Sequence, residues 1–277
     1  YVRFFCFLCS NSIRVFLSKR FLKREFIPMP RFLLLPRNFL LPLSFLLPLL
    51  LCSCTGSPEL VSQYGGMREV LRKGDTEARI SFEEIRQQSH AIGVGALSEL
   101  QGEITILDGQ IYVATTTDGV NATTTSGHQH PGSATLLTLA HVSRWHQDPL
   151  PDSVPLEQAI EIVAKSHGLD SDKPFPFIIE GIADSFELHV INGFCPIATP
   201  DLAPKDQPWR SRGSSTPIKV VGFFAKNQTG VMTHHGSNLH IHAIIDDGEK
   251  ITSGHLDQIK MKSGSLLSVP HINNSTS

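Results

Sequence analysis

Three histidines in the C-terminal part of the chain have a spacing that is typical of a metal site. His240 and His242 lie two residues apart in an apolar stretch, and alternate residues of a β-strand project to the same face. A turn at residues 246–248 would return the chain and supply His255 as a third imidazole. Three imidazoles leave a tetrahedral zinc ion one open position, as in catalytic sites. We therefore predict these histidines as zinc ligands, although imidazole also suits copper, nickel and iron.

Glu103 is the second candidate for chemistry. It follows Gly102 at the start of a predicted strand, and Gly93 and Gly95 precede it. Glycines so close together indicate that the backbone comes near another element or a ligand. A carboxylate at such a place could donate or accept a proton beside a metal. The alternative is a solvated charge at the end of a strand.

The other histidines are weaker candidates. His234 and His235 precede a loop, which places them beside the triad or on the surface. His128 and His130 also have strand spacing, but they lie in a stretch rich in Gly, Ser and Pro, so we interpret them as surface residues. With 13 histidines in the chain, His-x-His can also arise by chance. The sequence contains no phosphate loop, dinucleotide fingerprint or Gly-x-Ser-x-Gly elbow.

The composition excludes one class of partner. The chain has 277 residues, of which 40% are hydrophobic and 18% charged, as in a globular protein. Residues 1–54 hold eight Lys/Arg and one acid, which leaves 16 Lys/Arg against 25 Asp/Glu for the rest. An acidic body argues against nucleic acid as a partner, because binding phosphates needs clustered cations.

The N-terminal part has the pattern of an export signal. Met29 is the first methionine; basic residues extend to Arg37, and the uncharged apolar run at residues 38–51 contains two prolines. This pattern is typical of a secretory signal and is short for a membrane-spanning helix. We interpret residues 1–28 as a spurious or removed leader, 29–54 as the signal and 55–65 as a linker. A genuine membrane anchor is the alternative.

Cysteines add a second feature to the signal. The end of the signal, Leu-Cys-Ser-Cys54, resembles a bacterial lipobox, so a lipid on Cys54 would be the protein's membrane contact. Ordinary cleavage nearby is the alternative. Either way we predict an exported protein. The body keeps Cys195 alone, so no internal disulfide can form, and we expect that residue to be a buried apolar one.

The remaining patterns predict an α+β domain over residues 66–277, with many strands and few helices. We expect a loop at residues 118–133 and a proline-rich connection at residues 196–217. Helical segments are predicted at residues 67–73, 81–88 and 154–167. Strands are predicted at residues 103–107, 110–115, 134–142, 177–179, 186–191, 218–225 and 239–245, with an Asp-Gly hairpin turn between the first two.

Three motifs occur in an order that resembles a known family. The first is Gly-Val-Gly-Ala-Leu-Ser-Glu-Leu-Gln-Gly-Glu, which ends at Glu103, and the second is Val-Gly-Phe-Phe, which begins at Val221. The third is Asn-Leu-His-Ile-His, which ends at His242 and is followed by Ser-Gly-His255. Over most of residues 90–265 the chain resembles the alpha-acetolactate decarboxylase family.

The resemblance implies a fold, a site and a reaction. It implies two tightly associated lobes with mixed β-sheets and few helices, often in a homodimer. It makes His240, His242 and His255 ligands of Zn²⁺ and Glu103 an active-site carboxylate. The implied reaction converts 2-acetolactate, or a related 2-hydroxy-3-oxo acid, to acetoin and carbon dioxide. Zinc would polarise the carbonyl, and Glu103 would take part in protonation.

The chain departs from the family pattern in three places. The interval from His242 to His255 is two residues longer, which predicts a larger turn at residues 247–250. Asn192 stands about where the family has an active-site arginine, and the C-terminal tail offers no family glutamate. Two alternatives therefore remain open: a non-catalytic exported metal- or ligand-binding protein on the same fold, and a zinc enzyme of hydrolytic type.

Overall fold

The computed structural model describes residues 59–194 and 201–272, which lie in one compact unit. Within these residues, β-strands form most of the regular structure, and three α-helices accompany them. The helices are α1 Met67–Lys73, α2 Phe82–Arg86 and α3 Leu156–Ser166. The strands are β1 Val61–Tyr64, β2 Ile80–Ser81, β3 Ala91–Leu97, β4 Glu103–Leu107, β5 Gln110–Thr116, β6 Ala122–Gly127, β7 Ser133–His141, β8 Trp145–Pro149, β9 Phe175–Val190, β10 Trp209–Phe224, β11 Leu239–Asp246, β12 Ile251–Met261 and β13 Leu266–Pro270.

The first sheet has the strand order β1-β7-β3-β4-β5-β6, and β2 also pairs with β7. Asp108 and Gly109 form the turn between β4 and β5 with φ values of 48° and 77°, which confirms the Asp-Gly hairpin. The prediction of a loop over residues 118–133 is wrong in part, because β6 lies within it. Its threonines are β-branched and favour extended backbone, which outweighs the polarity of the segment.

The second sheet has the strand order β10-β11-β12-β9-β13-β8, and β10 also pairs with β9, so four of its strands pair in a closed circuit. Residues 177–179 and 186–191 were expected as separate strands. All of these residues except Ile191 lie in the single strand β9, which ends at Val190. The prediction of a proline-rich connection over residues 196–217 is also wrong in part, because β10 begins at Trp209. Pro217 fits this strand because β10 pairs there with β9 on one side, before pairing with β11 begins at Lys219.

Packing of apolar faces holds the layers together. Ile92 and Val94 of the first sheet share a buried cluster with Val221 and Phe223 of the second, so the two sheets pack face to face. Helix α2 covers the other face of the first sheet, and α3 contributes to the core on the other face of the second. Because each sheet is apolar on the face that it shares, burial of that surface drives the assembly.

The observed sheets differ from the expected mixed sheets. Every pairing between the strands described above is antiparallel. Short turns join β4 to β5 and β11 to β12 and return the chain directly, and the strands that pair over longer distances in the sequence are antiparallel too. The division into two lobes stays a prediction. None of the described helices is long and apolar enough to span a membrane. Residues 61–64 of the predicted linker form β1, which pairs with β7. The predictions for residues 1–58 and for Cys195 lie outside the described residues.

Candidate metal centre

The β11–β12 hairpin brings the three predicted histidines together. Along β11, Ile241 joins the buried core of the second sheet, while His240 and His242 project from the opposite face. The strand register then places His255 of β12 directly opposite His242. The turn at residues 247–250 is closed by the Asp247 carboxylate, which accepts two backbone N–H bonds of 2.9 Å. The residues between the two strands therefore form this turn and leave His242 and His255 paired.

The three imidazoles form a buried cluster with the geometry of a ligand set. One nitrogen of each of His240, His242 and His255 lies within 4.8 Å of the others. The residues are 3%, 0% and 8% exposed, and no hydrogen-bond partner is found within the described chain for His240 Nδ1 and His242 Nε2. An unpartnered buried nitrogen is costly unless something else binds it. These three histidines could therefore hold a metal ion.

Burial also keeps the cluster in the protonation state that metals require. Desolvation, with a smaller contribution from the neighbouring His234, lowers the pKa of His240 to about 3. Desolvation is likewise the main reason that the pKa values of His242 and His255 lie well below the ordinary value. Neutral imidazoles offer a lone pair, and three of them suit zinc.

Gly254 allows the last ligand to take its position. A Cβ at residue 254 would lie 2.6 Å from the carbonyl oxygen of His189 on β9. The backbones of β9 and β12 approach so closely there that a larger residue would push them apart. This contact gives a structural reason for the glycine that precedes His255 in the third motif.

Thr105 fixes the orientation of the buried His242 ring. Its Oγ1 lies 3.2 Å from His242 Nδ1 and 2.9 Å from Ser253 Oγ. If Nδ1 carries the hydrogen and donates it to Oγ1, Nε2 keeps its lone pair for a metal. Thr105 lies on β4, so the first sheet positions a ligand that the second sheet carries. Thr105 was not predicted as a site residue, although alternation along β4 places it on the same face as Glu103.

Glu103 reaches the cluster from the first sheet. One carboxylate oxygen lies 3.7 Å from His242 Nε2 and the other 3.9 Å from His189 Nε2. The side chain is 6% exposed. Desolvation raises the pKa of Glu103 to about 7, against the lowering effects of His189 and of a backbone hydrogen bond from Ile191. The carboxyl can therefore gain or lose a proton near neutral pH, which suits a proton-transfer residue.

The glycines before Glu103 have the role that the sequence suggested. A Cβ at Gly95 would lie 2.0 Å from the carbonyl oxygen of Leu136. Strand β3 can therefore approach β7 only with glycine at this position. Gly95 also lines the cavity beside the histidines.

Besides Thr105, three polar residues of this site were not predicted from the sequence. His189 lies on β9 directly opposite His255, and its Nδ1 is 2.9 Å from the Asp257 carboxylate. Asp257 lies at a bulge between Leu256 and Gln258. Arg210 on β10 donates to the other Asp257 oxygen at 2.9 Å. These contacts cross strands that are far apart in sequence, so no local motif indicates them.

The polar residues open onto a cavity of roughly 170 Å³. His189, His240 and His255 line it together with Glu103, Asp257, Arg210 and His234, and the remaining wall is formed by apolar residues. Those apolar residues are Met67, Val70, Gly95, Ala96, Leu100, Leu136 and Ile191. A pocket of this size is smaller than the roughly 300 Å³ of typical drug-sized sites. It suits a small molecule with one polar side and one apolar side.

The weaker candidates have different outcomes. His234 lies beside the triad, with its ring centroid 5.2 Å from that of His255, whereas His235 is exposed. His128 is exposed, as expected, and the half-buried His130 contacts Thr125 Oγ1 at 2.7 Å. The Asn192 amide donates to the Lys205 carbonyl and is not among the residues that line the cavity.

Comparison with known proteins supports the fold. The sequence matches no family model and no curated protein. The structure is similar to the alpha-acetolactate decarboxylase of Bacillus subtilis strain 168, with a TM-score of 0.56 and 16% identity over 76% of this chain and 85% of that one. The acetolactate decarboxylase of Bacillus subtilis subspecies spizizenii gives a TM-score of 0.57 and 16% identity, with the same coverage.

A third solved structure agrees with these two. It is a Staphylococcus aureus protein of unknown function described as similar to alpha-acetolactate decarboxylase. Its TM-score is 0.58 and its identity 14%, over 77% of this chain and 86% of that chain. At such identities the likeness concerns the fold. The chain therefore has a fold similar to that of acetolactate decarboxylases.

Proposed function

We propose that this protein is a zinc-dependent carboxy-lyase that acts on 2-acetolactate or a related 2-hydroxy-3-oxo acid. The observation that carries the proposal is a buried cluster of three histidines, of which His240 and His255 line the same small cavity as the buried Glu103. Its similarity in fold to acetolactate decarboxylases supports the same reaction class.

The donor set supports zinc as the metal. His240, His242 and His255 would supply three imidazole ligands, as in catalytic zinc sites. When bound, zinc supplies Lewis acidity that polarises a ketone and favours negative charge on adjacent oxygens. Thr105 would hold His242 in the orientation that such a site needs.

Glu103 has the position and protonation behaviour of a proton donor. When the carboxyl group leaves as carbon dioxide, the electron pair of the broken C–C bond moves toward the neighbouring carbonyl. The carbon that lost the carboxyl group must then accept a proton. A Glu103 carboxyl with a pKa of about 7 can hold that proton at neutral pH. The apolar residues of the cavity wall limit the entry of water, which would otherwise compete as the proton donor.

The direct test is turnover of 2-acetolactate by the purified chain in the presence of Zn²⁺. We expect acetoin and carbon dioxide in equal amounts, no turnover by the His240→Ala/His242→Ala double variant, and slower turnover by Glu103→Gln. His128→Ala/His130→Ala is the matched control, because it removes a second His-x-His pair outside the cavity.

Other outcomes would reject parts of the proposal. If no acetoin forms at any metal loading, 2-acetolactate is not the substrate. Ester hydrolysis without release of carbon dioxide would favour a hydrolytic zinc enzyme. Tight zinc binding without turnover of any hydroxy-oxo acid would favour a non-catalytic binding protein.

We also propose that the domain is exported and that Cys54 carries a lipid. The supporting pattern is the basic and apolar stretch at residues 29–54. Metabolic labelling with a fatty acid tests this, because Cys54→Ser should abolish the label if the lipid is present. The homodimer is a further proposal, which light scattering of the purified protein tests.

A further inference from the structure

We propose that Arg210 binds the carboxylate of the substrate in this cavity. This inference rests on the proposed function, because it assigns a binding residue for an acid substrate. The residue lies on β10, outside the three motifs in the sequence that resemble the decarboxylase family.

The charges that line the cavity require a cation for an acid to bind. Glu103 and Asp257 bring two carboxyl groups to it. When ionised, these carboxylates would repel an anionic ligand, so a fixed cation beside Asp257 would favour binding of an acid in addition to the charge of a metal ion at the histidines.

Arg210 supplies that cation. Within the described part of the chain, it is the one Lys or Arg that lines the cavity. The strand register places it directly opposite His189. Its guanidinium is permanently charged and has five N–H donors, of which one bonds to Asp257 at 2.9 Å. The side chain is 52% exposed, so its other donors are accessible to a ligand that enters.

Asp257 and His189 hold Arg210 in place. Asp257 is the extra residue of a β-bulge, and such bulges often redirect a side chain. Its carboxylate contacts His189 Nδ1 with one oxygen and Arg210 with the other. The guanidinium is thus anchored on one side and presents its remaining edge, whose geometry matches a carboxylate.

The size of the cavity connects Arg210 with the metal cluster. The same cavity of roughly 170 Å³ is lined by Arg210, His240 and His255. One small acid can therefore contact the guanidinium with its carboxylate and the imidazole cluster with its hydroxyl side. Its alkyl groups would then lie against the aliphatic residues of α1 and β3.

The test compares two ligands that differ in charge. Calorimetry on the Zn²⁺-loaded chain measures the affinity for 2-hydroxy-2-methylpropanoate, which has the hydroxyl and carboxylate but no ketone, and for acetoin, which is uncharged. We expect Arg210→Gln to weaken binding of the acid by about 10- to 100-fold, the loss typical of a charged hydrogen bond, and to leave acetoin binding unchanged. Arg210→Lys should lie between Arg210→Gln and the unaltered chain.

Arg212→Gln is the matched control. Arg212 lies on the same strand, and its guanidinium contacts Glu187 at 3.1 Å outside the cavity. This variant should bind both ligands as the unaltered chain does. If Arg210→Gln binds the acid normally, or loses the acid and acetoin equally, the assignment is wrong, because the second result would indicate a structural role.

The experiment also separates this inference from the proposed function. If 2-acetolactate is decarboxylated and Arg210→Gln leaves its KM unchanged, the assignment of Arg210 fails while the function stands. If 2-acetolactate is not converted but Arg210→Gln still loses affinity for the acid alone, the named reaction fails and the carboxylate site stands.

Discussion

Replacing Thr105 by valine tests whether the first sheet positions a metal ligand of the second. The two side chains have nearly the same shape, and Thr105 is 0% exposed, so the substitution removes a hydroxyl without leaving a large cavity. His242 Nδ1 loses its partner at 3.2 Å, and Ser253 loses one at 2.9 Å. The ring of His242 can then rotate, and its tautomer is no longer set.

Two effects of different size are expected. Loss of a partner that orients a metal-bound histidine typically weakens metal binding by about 10- to 100-fold, which is about 1.4–2.8 kcal/mol. Leaving buried polar atoms unpaired should lower the free energy of unfolding by about 1–3 kcal/mol. Competition titration with a zinc-binding dye measures the first effect, and urea unfolding of the metal-free protein measures the second.

Thr138→Val is the matched control for this experiment. Thr138 is also 0% exposed, and its hydroxyl donates to Gln63 Oε1 at 2.7 Å, with no contact to the histidines among the described hydrogen bonds. The Thr138→Val variant should therefore lose stability without losing zinc affinity. If Thr105→Val binds zinc as tightly as Thr138→Val, the idea that Thr105 orients His242 is refuted.

Three further predictions follow from the same structure. Removing zinc with a chelator should lower the free energy of unfolding, by about 2.7 kcal/mol if free zinc had been at 100 times Kd. Thermal melts should show a lower Tm after chelation, whereas the Tm of the His240→Ala/His242→Ala variant should not change. Gly254→Ala should destabilise the protein by about 1–3 kcal/mol through overpacking, because its Cβ would lie 2.6 Å from the His189 carbonyl oxygen. Gly127→Ala is its control in urea unfolding, since the nearest atom to a Cβ there is 4.0 Å away, and equal losses would contradict the explanation. Hydrogen bonds from Lys165, Lys226 and Ser171 lower the pKa of Glu161 to about 2. Its ionised form therefore stabilises the fold fully above the ordinary pKa of 4.5, and this contribution disappears as the pH falls toward 2. The free energy of unfolding of Glu161→Gln should therefore be about 1 kcal/mol lower than that of the unaltered chain at pH 7, a value reduced for partial solvation. This difference should shrink below pH 4, and a difference that does not vary with pH would reject the explanation.

Local patterns determined the parts of the site that lie on one strand or one hairpin. Alternation along β11 places His240 and His242 on one face, and the turn that follows returns His255 to a position opposite His242. The helix α1 and the Asp-Gly hairpin also follow from local signals. These features depend on backbone geometry over a few residues, so the sequence is enough to predict them.

Local patterns misjudged β6 and the first half of β10, each for an identifiable reason. The threonine-rich β6 was expected as a loop because of its polarity, yet its β-branched residues pair with β5. The first half of β10 was expected as an irregular connection because of its prolines, yet Pro217 fits where that strand pairs on one side. In both segments the pairing partner decided the conformation.

The tertiary structure alone decided which residues share the cavity. Glu103 and Thr105 reach His242 across the interface of two sheets, and a bulge brings Asp257 to His189 and Arg210. The raised pKa of Glu103 likewise comes from burial between the sheets. A period of two residues tells which face a side chain takes, but the strand that lies opposite depends on register and packing between segments far apart in the chain.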